Sequence, residues 1–186
     1  DQAKDAAEAI LVDYDPLPAH MATATANAPD TPALRAEAPN NEAMYAENGD
    51  AASTDAEMAK ADHVITDTFV VNRVTANTME PRAVAADYDA GRDHYTIYAC
   101  HQRPYIWRTM MTKYVFGIDE HQMRLIAGDV GGSFGMKGAI YPEVILMAWA
   151  SKRVGRPVKW TCERSEGLMA DDHARDNVSE AELALD

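Results

Sequence analysis

A mixed α/β (α+β) fold is predicted by three features of the 186-residue sequence. β-branched and alternating runs have strand length, apolar runs open at Pro and close at Gly in helical order, and a glycine-rich loop joins one kind to the other. The 47% hydrophobic content suits a chain that buries a core. Its length corresponds to one domain, or one domain with part of another, at the ~100 to 200 residues usual for each.

Taken in order, Ala6 to Ala9 read as the end of a helix, and Ile10-Leu-Val-Asp-Tyr14 as a short strand stopped by Pro16 and Pro18. From Met21 to about Ala59 the composition shifts to Ala, Asn, Asp, Glu, Thr and Pro. Such a segment has little apolar area to offset the ~1 to 2 kcal/mol per residue that ordering costs, so a linker-like surface excursion is expected. His63 to Val71 is rich in β-branched residues and reads as a strand, and Ala83 to Tyr88 and Tyr95 to Ala99 flank the turn Asp89-Ala-Gly-Arg-Asp93 as a hairpin. Pro104 opens a helix through Tyr114 that Gly117 stops. Met123 to Ala127 is a strand that delivers the loop Gly128 to Gly138. An apolar helix follows from Ala139 to Val154, closed by Gly155 and Pro157. Val158 to Thr161 and the alternating run Asn177 to Leu185 are the last strands. A chain that begins at Asp1 instead of Met and stops on a strand-like run is expected to be a piece of a longer protein.

Charge and cysteine usage exclude several function classes. With 17 basic against 30 acidic residues the net charge is −13. No concentrated basic patch offsets it, which argues against nucleic acid or an anionic membrane as partner. No run approaches the ~18 apolar residues of a membrane span, and the most apolar stretch, Ala139 to Ala150, is interrupted by Pro142 and Glu143. Cys100 and Cys162 are isolated, so neither zinc nor an iron–sulfur cluster can be assembled on them, and a reducing cytoplasm is the expected setting. His101 and His173 have no third partner at useful spacing, and no metal ligand is assigned.

The loop concentrates the chemistry. Gly131, Gly132, Gly135 and Gly138 let backbone come close to a ligand and aim successive N–H groups at an anion. Two nucleotide patterns fail on it. Lys137 is followed by Gly138 where a P-loop needs Ser or Thr, and GxGxxG is met in no register. Taken alone, such a loop is as readily a structural turn.

The segment Gly131-Gly-Ser-Phe-Gly-Met-Lys137 resembles the GGxFGxK loop of the molybdenum hydroxylases, the family of xanthine dehydrogenase, aldehyde oxidase and aerobic carbon monoxide dehydrogenase. Cys100-His-Gln-Arg-Pro-Tyr-Ile-Trp-Arg108 is similar to the family's Gln-x-Pro-x-x-x-Arg pattern, and Asn77-Thr-Met-Glu-Pro-Arg82 to its segment with a buried glutamate. Arg156 to Trp160, Glu163 to Glu166 and His173 to Asp176 fall in the family's order. The resemblance implies a cofactor surface made by Gly131, Gly132, Ser133, Phe134 and Gly135, with Gln102 hydrogen-bonding the oxygen environment of the molybdenum, and Gln102 and Phe134 at the reacting centre. It implies part of a large subunit carrying a molybdenum–molybdopterin cofactor, in the cytosine dinucleotide form, that oxidises a small-molecule substrate with oxygen from water. Iron–sulfur and FAD groups would lie on other subunits or domains, and the intact assembly would be a dimer of such heteromers. Residues 1–20 would end an N-terminal α+β domain, 21–62 would form the excursion, and 63–186 would begin the molybdopterin-binding domain.

Each residue also has a plainer reading. Phe134 alone would be a core aromatic, and Gln102 a cap for the helix at Pro104. Glu80 reads as a structural acid paired with Arg82 or Arg108, and Lys137 as facing a phosphate or solvent. Ser133 replaces a usual glycine and Met136 a small residue. Gly138 stands where xanthine-type members carry a purine-contacting glutamate, which argues against xanthine. These departures leave a degenerate, non-catalytic binding or assembly module as the alternative, and an unrelated phosphate-binding module as a distant third.

Overall fold

The computed structural model describes Gln2 to Asp186. It divides into two units, one from Arg73 to Arg175 and one formed by the chain up to Asn72 together with Asp176 to Asp186.

The unit formed by the two ends of the chain holds helix α1 (Gln2–Glu8), helix α2 (Ala51–Met58), strand β1 (His63–Val71) and the last strand, β8 (Asn177–Leu185). Two strands expected from the sequence turn out to be each other's partners. β1 and β8 run antiparallel from His63↔Leu185 to Val71↔Asn177. The expected strand at Ile10 to Tyr14 does not form, because its backbone meets no neighbouring strand among the described residues and its side chains, Leu11 and Tyr14 among them, stay exposed. β-propensity describes a fit to a pleated surface and cannot supply one.

The excursion is less featureless than its composition implies. Asn41, at φ 57°, donates from Nδ2 to the Ala26 and Pro32 carbonyls and accepts the Leu34 N–H on Oδ1. Asparagine tolerates that left-handed backbone, and its amide here makes three hydrogen bonds to main-chain groups. Helix α2 was not legible as apolar periodicity, but its start signal is ordinary: the Asp50 carboxylate accepts the Ser53 N–H at 3.0 Å.

The unit from Arg73 to Arg175 is built on a four-stranded mixed sheet. Its first strand, β2 (Val74–Thr75), lies outside that sheet and pairs only with β7 (His173–Ala174). β3 (Ala83–Asp89) and β4 (His94–Ala99) form the expected hairpin, and β5 (Met123–Ile126) joins β4 in parallel. β6 (Val158–Thr161) joins the far side of β3, giving the order β5-β4-β3-β6. The parallel β4–β5 step needs a crossover. Helix α3 (Pro104–Met110) provides it and continues as a π-helical turn through Phe116, which Gly117 ends in the left-handed region.

Helix α4 (Pro142–Val154) starts three residues later than the apolar run predicts. The ring of Pro142 disfavours a helical residue before it, and Tyr141 is extended at φ −85°, ψ 149°. Gly155, at φ 63°, ends the helix as expected. Helix α5 (Arg164–Ala170) then leads towards β7.

Alternation on β3 and β4 turns Val84, Ala86, Tyr95, Ile97 and Ala99 to one face, where Trp107 and Met111 of the crossover and Val144 and Ala148 of α4 cover them. Full burial of side chains such as Ile97 and Met111 stabilises by about 1.5–3 kcal/mol each. At the edge of this core Arg82 bonds Asp171 at 2.6 Å, pairs with Glu143, and lies 3.7 Å from the Tyr141 ring centroid. One guanidinium thus ties the entrance of β3 to α4 and to the end of α5.

Candidate cofactor-facing loop

Strand β5 ends at Ile126 and the chain enters the glycine-rich loop. The loop is fixed at one end by Glu80. The Glu80 N–H donates to the Gly131 carbonyl at 3.1 Å, and the Gly131 N–H donates to Glu80 Oε2 at 2.9 Å. The buried Thr78 hydroxyl donates to the Glu80 carbonyl at 2.6 Å. At the other end Lys137 is wholly buried, with 0% exposure, and its Nζ lies 2.8 Å from the same Oε2.

This arrangement corrects two expectations. Glu80 pairs with Lys137, while Arg82 takes Asp171 and Glu143 and Arg108 takes Glu120 at 2.8 Å. Lys137 faces neither phosphate nor solvent. The pairing was out of reach of a sequence reading because the partners are 57 residues apart. Burial alone would raise the Glu80 pKa, but the hydrogen bonds from Lys137 and the Gly131 N–H, with the lysine's charge, outweigh it and hold the carboxyl below the ordinary glutamate value.

Between these anchors the backbone takes positive φ at Gly132 (93°) and at the adjacent pair Phe134 (51°) and Gly135 (97°). Following each N–H shows what the loop offers. Gly131 donates to Glu80, Gly132 to the Val130 carbonyl, Met136 to the Ser133 carbonyl, Lys137 to Ser133 Oγ and Gly138 to the Gly135 carbonyl. The N–H groups of Ser133, Phe134 and Gly135 have no acceptor among the described residues. Three consecutive amides are therefore available at the apex, a concave donor set for an anion or a polarised oxygen. Gly131 and Gly132 shape the loop, and Ser133 adds a hydroxyl that holds Lys137.

Phe134 is 83% exposed and not a core aromatic, and a Cβ at Gly135 would meet nothing within 4 Å. Both line a cleft of about 410 Å³ with Val74, Met136, His173 and Arg175. Asp172 is also on its wall, so the cleft has both charges.

Gln102 meets the opposite end of the loop. Its N–H donates to the Lys137 carbonyl at 3.2 Å, and a Cβ at Gly138 would stand 3.4 Å from its Oε1. The side chain is exposed and does not cap α3, whose first turn begins after Arg103 without a side-chain cap. Trp107 Nε1 donates to the Gly138 carbonyl at 3.0 Å, and the Tyr141 hydroxyl to the Met136 carbonyl at 3.0 Å. Neither role was anticipated, since an indole or phenol that bonds a loop carbonyl looks in sequence like any other core aromatic.

His101, beside Gln102, is 2% exposed, stacks on Trp107 at 4.6 Å, and has no hydrogen-bond partner on either ring nitrogen. Burial holds its pKa below the usual 6.5. Among the described residues no set of three His, Cys, Asp or Glu side chains is placed to hold a metal. No helix among them is long and apolar enough to cross a membrane.

Three free, charge-neutral donors beside a cleft are a candidate ligand surface. The chain belongs to the molybdopterin cofactor-binding domain family, whose model matches residues 34–186. It is 34% identical to the 6-hydroxypseudooxynicotine dehydrogenase complex subunit gamma of Paenarthrobacter nicotinovorans, over 99% of this chain and 22% of that protein. It is 35% identical to the carbon monoxide dehydrogenase large chain of Afipia carboxidovorans, over 98% of this chain and 24% of the relative. Among solved structures, CO dehydrogenase from Oligotropha carboxidovorans superposes with a TM-score of 0.88 at 34% identity, covering 98% of this chain and 24% of that one. Quinoline 2-oxidoreductase from Pseudomonas putida 86 gives 0.78 at 31% identity, over 99% and 23%. The chain spans about a quarter of the length of these relatives.

Proposed function

We propose that this chain is part of the large subunit of a molybdenum-dependent hydroxylase or dehydrogenase, similar to carbon monoxide dehydrogenase or to xanthine dehydrogenase. In this reading the apex amides of Ser133, Phe134 and Gly135 face the molybdenum–molybdopterin cofactor, and Gln102 lies beside it. Residues 1–20, 21–62 and 63–186 are then the end of a preceding domain, an excursion and the start of the cofactor-binding domain. The single observation that carries the reading is the run of three unclaimed N–H groups on an exposed, glycine-flanked turn.

The donor set fits the cofactor. Backbone N–H groups do not titrate and add no net charge, and an amide side chain likewise donates without ionising. When bound, the cofactor supplies the two-electron redox chemistry that transfers oxygen derived from water to a small substrate. Arg175 offers the cleft a cation for the anionic part of a dinucleotide, in the cytosine form. What the chain itself does is narrower. Its apex amides orient a polar ligand, and Gln102 places a neutral donor and acceptor next to it. Iron–sulfur and FAD subunits take the electrons, a dimer of heteromers is the assembly, and the cytoplasm is the setting.

The alternative, a degenerate homologue serving as a binding or assembly module, drew its weight from Ser133, Met136 and Gly138. Ser133 and Met136 are built into the loop, one bonding Lys137 and the other buried at 4% exposure. The deciding experiment is purification of the full-length gene product with its partner subunits, followed by metal analysis and identification of the released nucleotide. Molybdenum near one per large subunit, with cytidine monophosphate after acid release, is the expected result. A complex that assembles without molybdenum or nucleotide would favour the degenerate homologue.

A further inference from the structure

We infer that Glu80 and Lys137 are positioning residues, an ion pair that sets where the free amides of the loop stand relative to Gln102. The inference rests on the cofactor-facing reading of the loop, and its test separates the two.

Neither residue is among the free donors at the apex. Each, however, is bonded to everything that frames it. Glu80 holds Gly131 through three contacts: N–H to carbonyl at 3.1 Å, Oε2 to N–H at 2.9 Å, and an approach so close that a Cβ on Gly131 would lie 2.5 Å from the Glu80 Cβ. Lys137 holds the other side, with its N–H on Ser133 Oγ at 3.1 Å and its carbonyl accepting the Gln102 N–H at 3.2 Å. The Nζ–Oε2 contact of 2.8 Å closes the circuit. Removing it takes away the direct side-chain link between the Gln102 side of the loop and the Gly131 side.

The choice of a charged pair is informative. Lys137 is wholly buried while the Glu80 side chain is 37% exposed, not the buried acid the resemblance implies, and a pair with a buried partner is weak support for stability, since apolar residues of similar volume often do as well. An apolar pair, though, would accept many loop positions. An ammonium with no exposure and a single carboxylate oxygen shared with the Gly131 N–H accepts one. Specificity of placement is what such a pair provides. The two charges also cancel, so the pair adds no net charge to a site built from neutral donors.

The test uses the full-length protein with its partner subunits and the variants Glu80→Gln, Lys137→Met and the double variant. Glutamine keeps an acceptor for the Gly131 N–H, and methionine keeps most of the lysine's bulk. Amide exchange is read on the peptide spanning Met136 to Gly138 in material grown without molybdate, alongside the thermal midpoint and the molybdenum content of material grown with it. Each single variant should expose a lone charge and lower the thermal midpoint. The double variant should recover the midpoint yet keep exchange of these amides about tenfold faster than wild type, as expected when a hydrogen-bonded segment opens locally, with molybdenum content reduced. Recovery of both slow exchange and metal in the double variant would overturn the proposal, as would single variants with wild-type exchange. A wild-type protein devoid of molybdenum would defeat the cofactor reading instead, and the exchange measurement would still decide the positioning role.

Discussion

Gly131 lies against Glu80 so closely that a methyl group on it would stand 2.5 Å from the glutamate's Cβ, a distance at which something must move. The neighbouring atoms are backbone and Cβ, not the end of a flexible side chain. Gly131→Ala should therefore destabilise the protein by about 1–3 kcal/mol, as overpacking does, and detach the loop from Glu80. Gly138→Ala meets only ordinary contact, 3.4 Å from Gln102 Oε1. Thermal unfolding of the two variants checks this, and equal midpoints for both would contradict it.

Gly135 has no internal neighbour for a Cβ but a φ of 97°. Gly135→Val should cost cofactor occupancy for two reasons, strain at a backbone angle that β-branched residues avoid and bulk on the face offered to the ligand. Metal analysis of the purified complex reads it directly. Unchanged molybdenum content would remove Gly135 from the cofactor surface.

Gln102→Ala should leave the metal in place, because the contact that anchors residue 102 to the loop is its backbone N–H. Loss of the hydrogen bond proposed from its side chain to the cofactor, with ~1.4 kcal/mol per factor of ten, should lower turnover per bound molybdenum by about tenfold or more. Single-turnover kinetics on metal-matched samples would check it. Wild-type turnover would make the side chain a bystander.

His101 supplies a pH dependence whose sign follows from its environment. Its folded pKa is depressed by burial from 6.5. The unfolded chain therefore binds a proton before the folded one does, and the stability associated with the neutral ring is complete above that value and lost as pH falls below it. Denaturation midpoints measured between about pH 7.5 and 5.5 should decline in the wild type and more gently in His101→Gln. Equal slopes would mean that the ring is not the group responsible.

The excursion offers a fifth measurement, of a different kind. Residues from about 21 to 59 are almost all at the surface. Limited proteolysis should cut there first, sooner still in Asn41→Ala, which removes the amide that holds Ala26, Pro32 and Leu34. First cuts between about 120 and 160 would go against it.

The elements that sequence made legible are those whose cause is local. Alternation along Ala83 to Ala99, with Asp89 to Asp93 between, suffices for a hairpin, and Gly117 and Gly155 end helices because they alone adopt left-handed backbone cheaply. Ile10 to Tyr14 shows the limit, since a strand needs a neighbour that composition cannot guarantee. The loop was visible as glycines, but which amides it leaves free was not. That depends on Ser133 Oγ, the Val130, Ser133 and Gly135 carbonyls and Glu80 taking the other five, and Glu80 lies 51 residues before the amide it accepts. Glu80 and Lys137 were each visible as charges, and only the fold, which brings residues 57 apart to 2.8 Å, made them a pair.

The β1–β8 ladder has a topological consequence. Val71 and Asn177 are partners in it, so the chain leaves the ladder and re-enters it across one rung, a gap of about 5 Å. Everything from Arg73 to Arg175 is thereby an insertion whose two ends are already joined. Closing such a loop costs entropy that grows only with the logarithm of its length. Evolution can then lengthen, trim or reshape the inserted block at small thermodynamic penalty to the two strands that carry it.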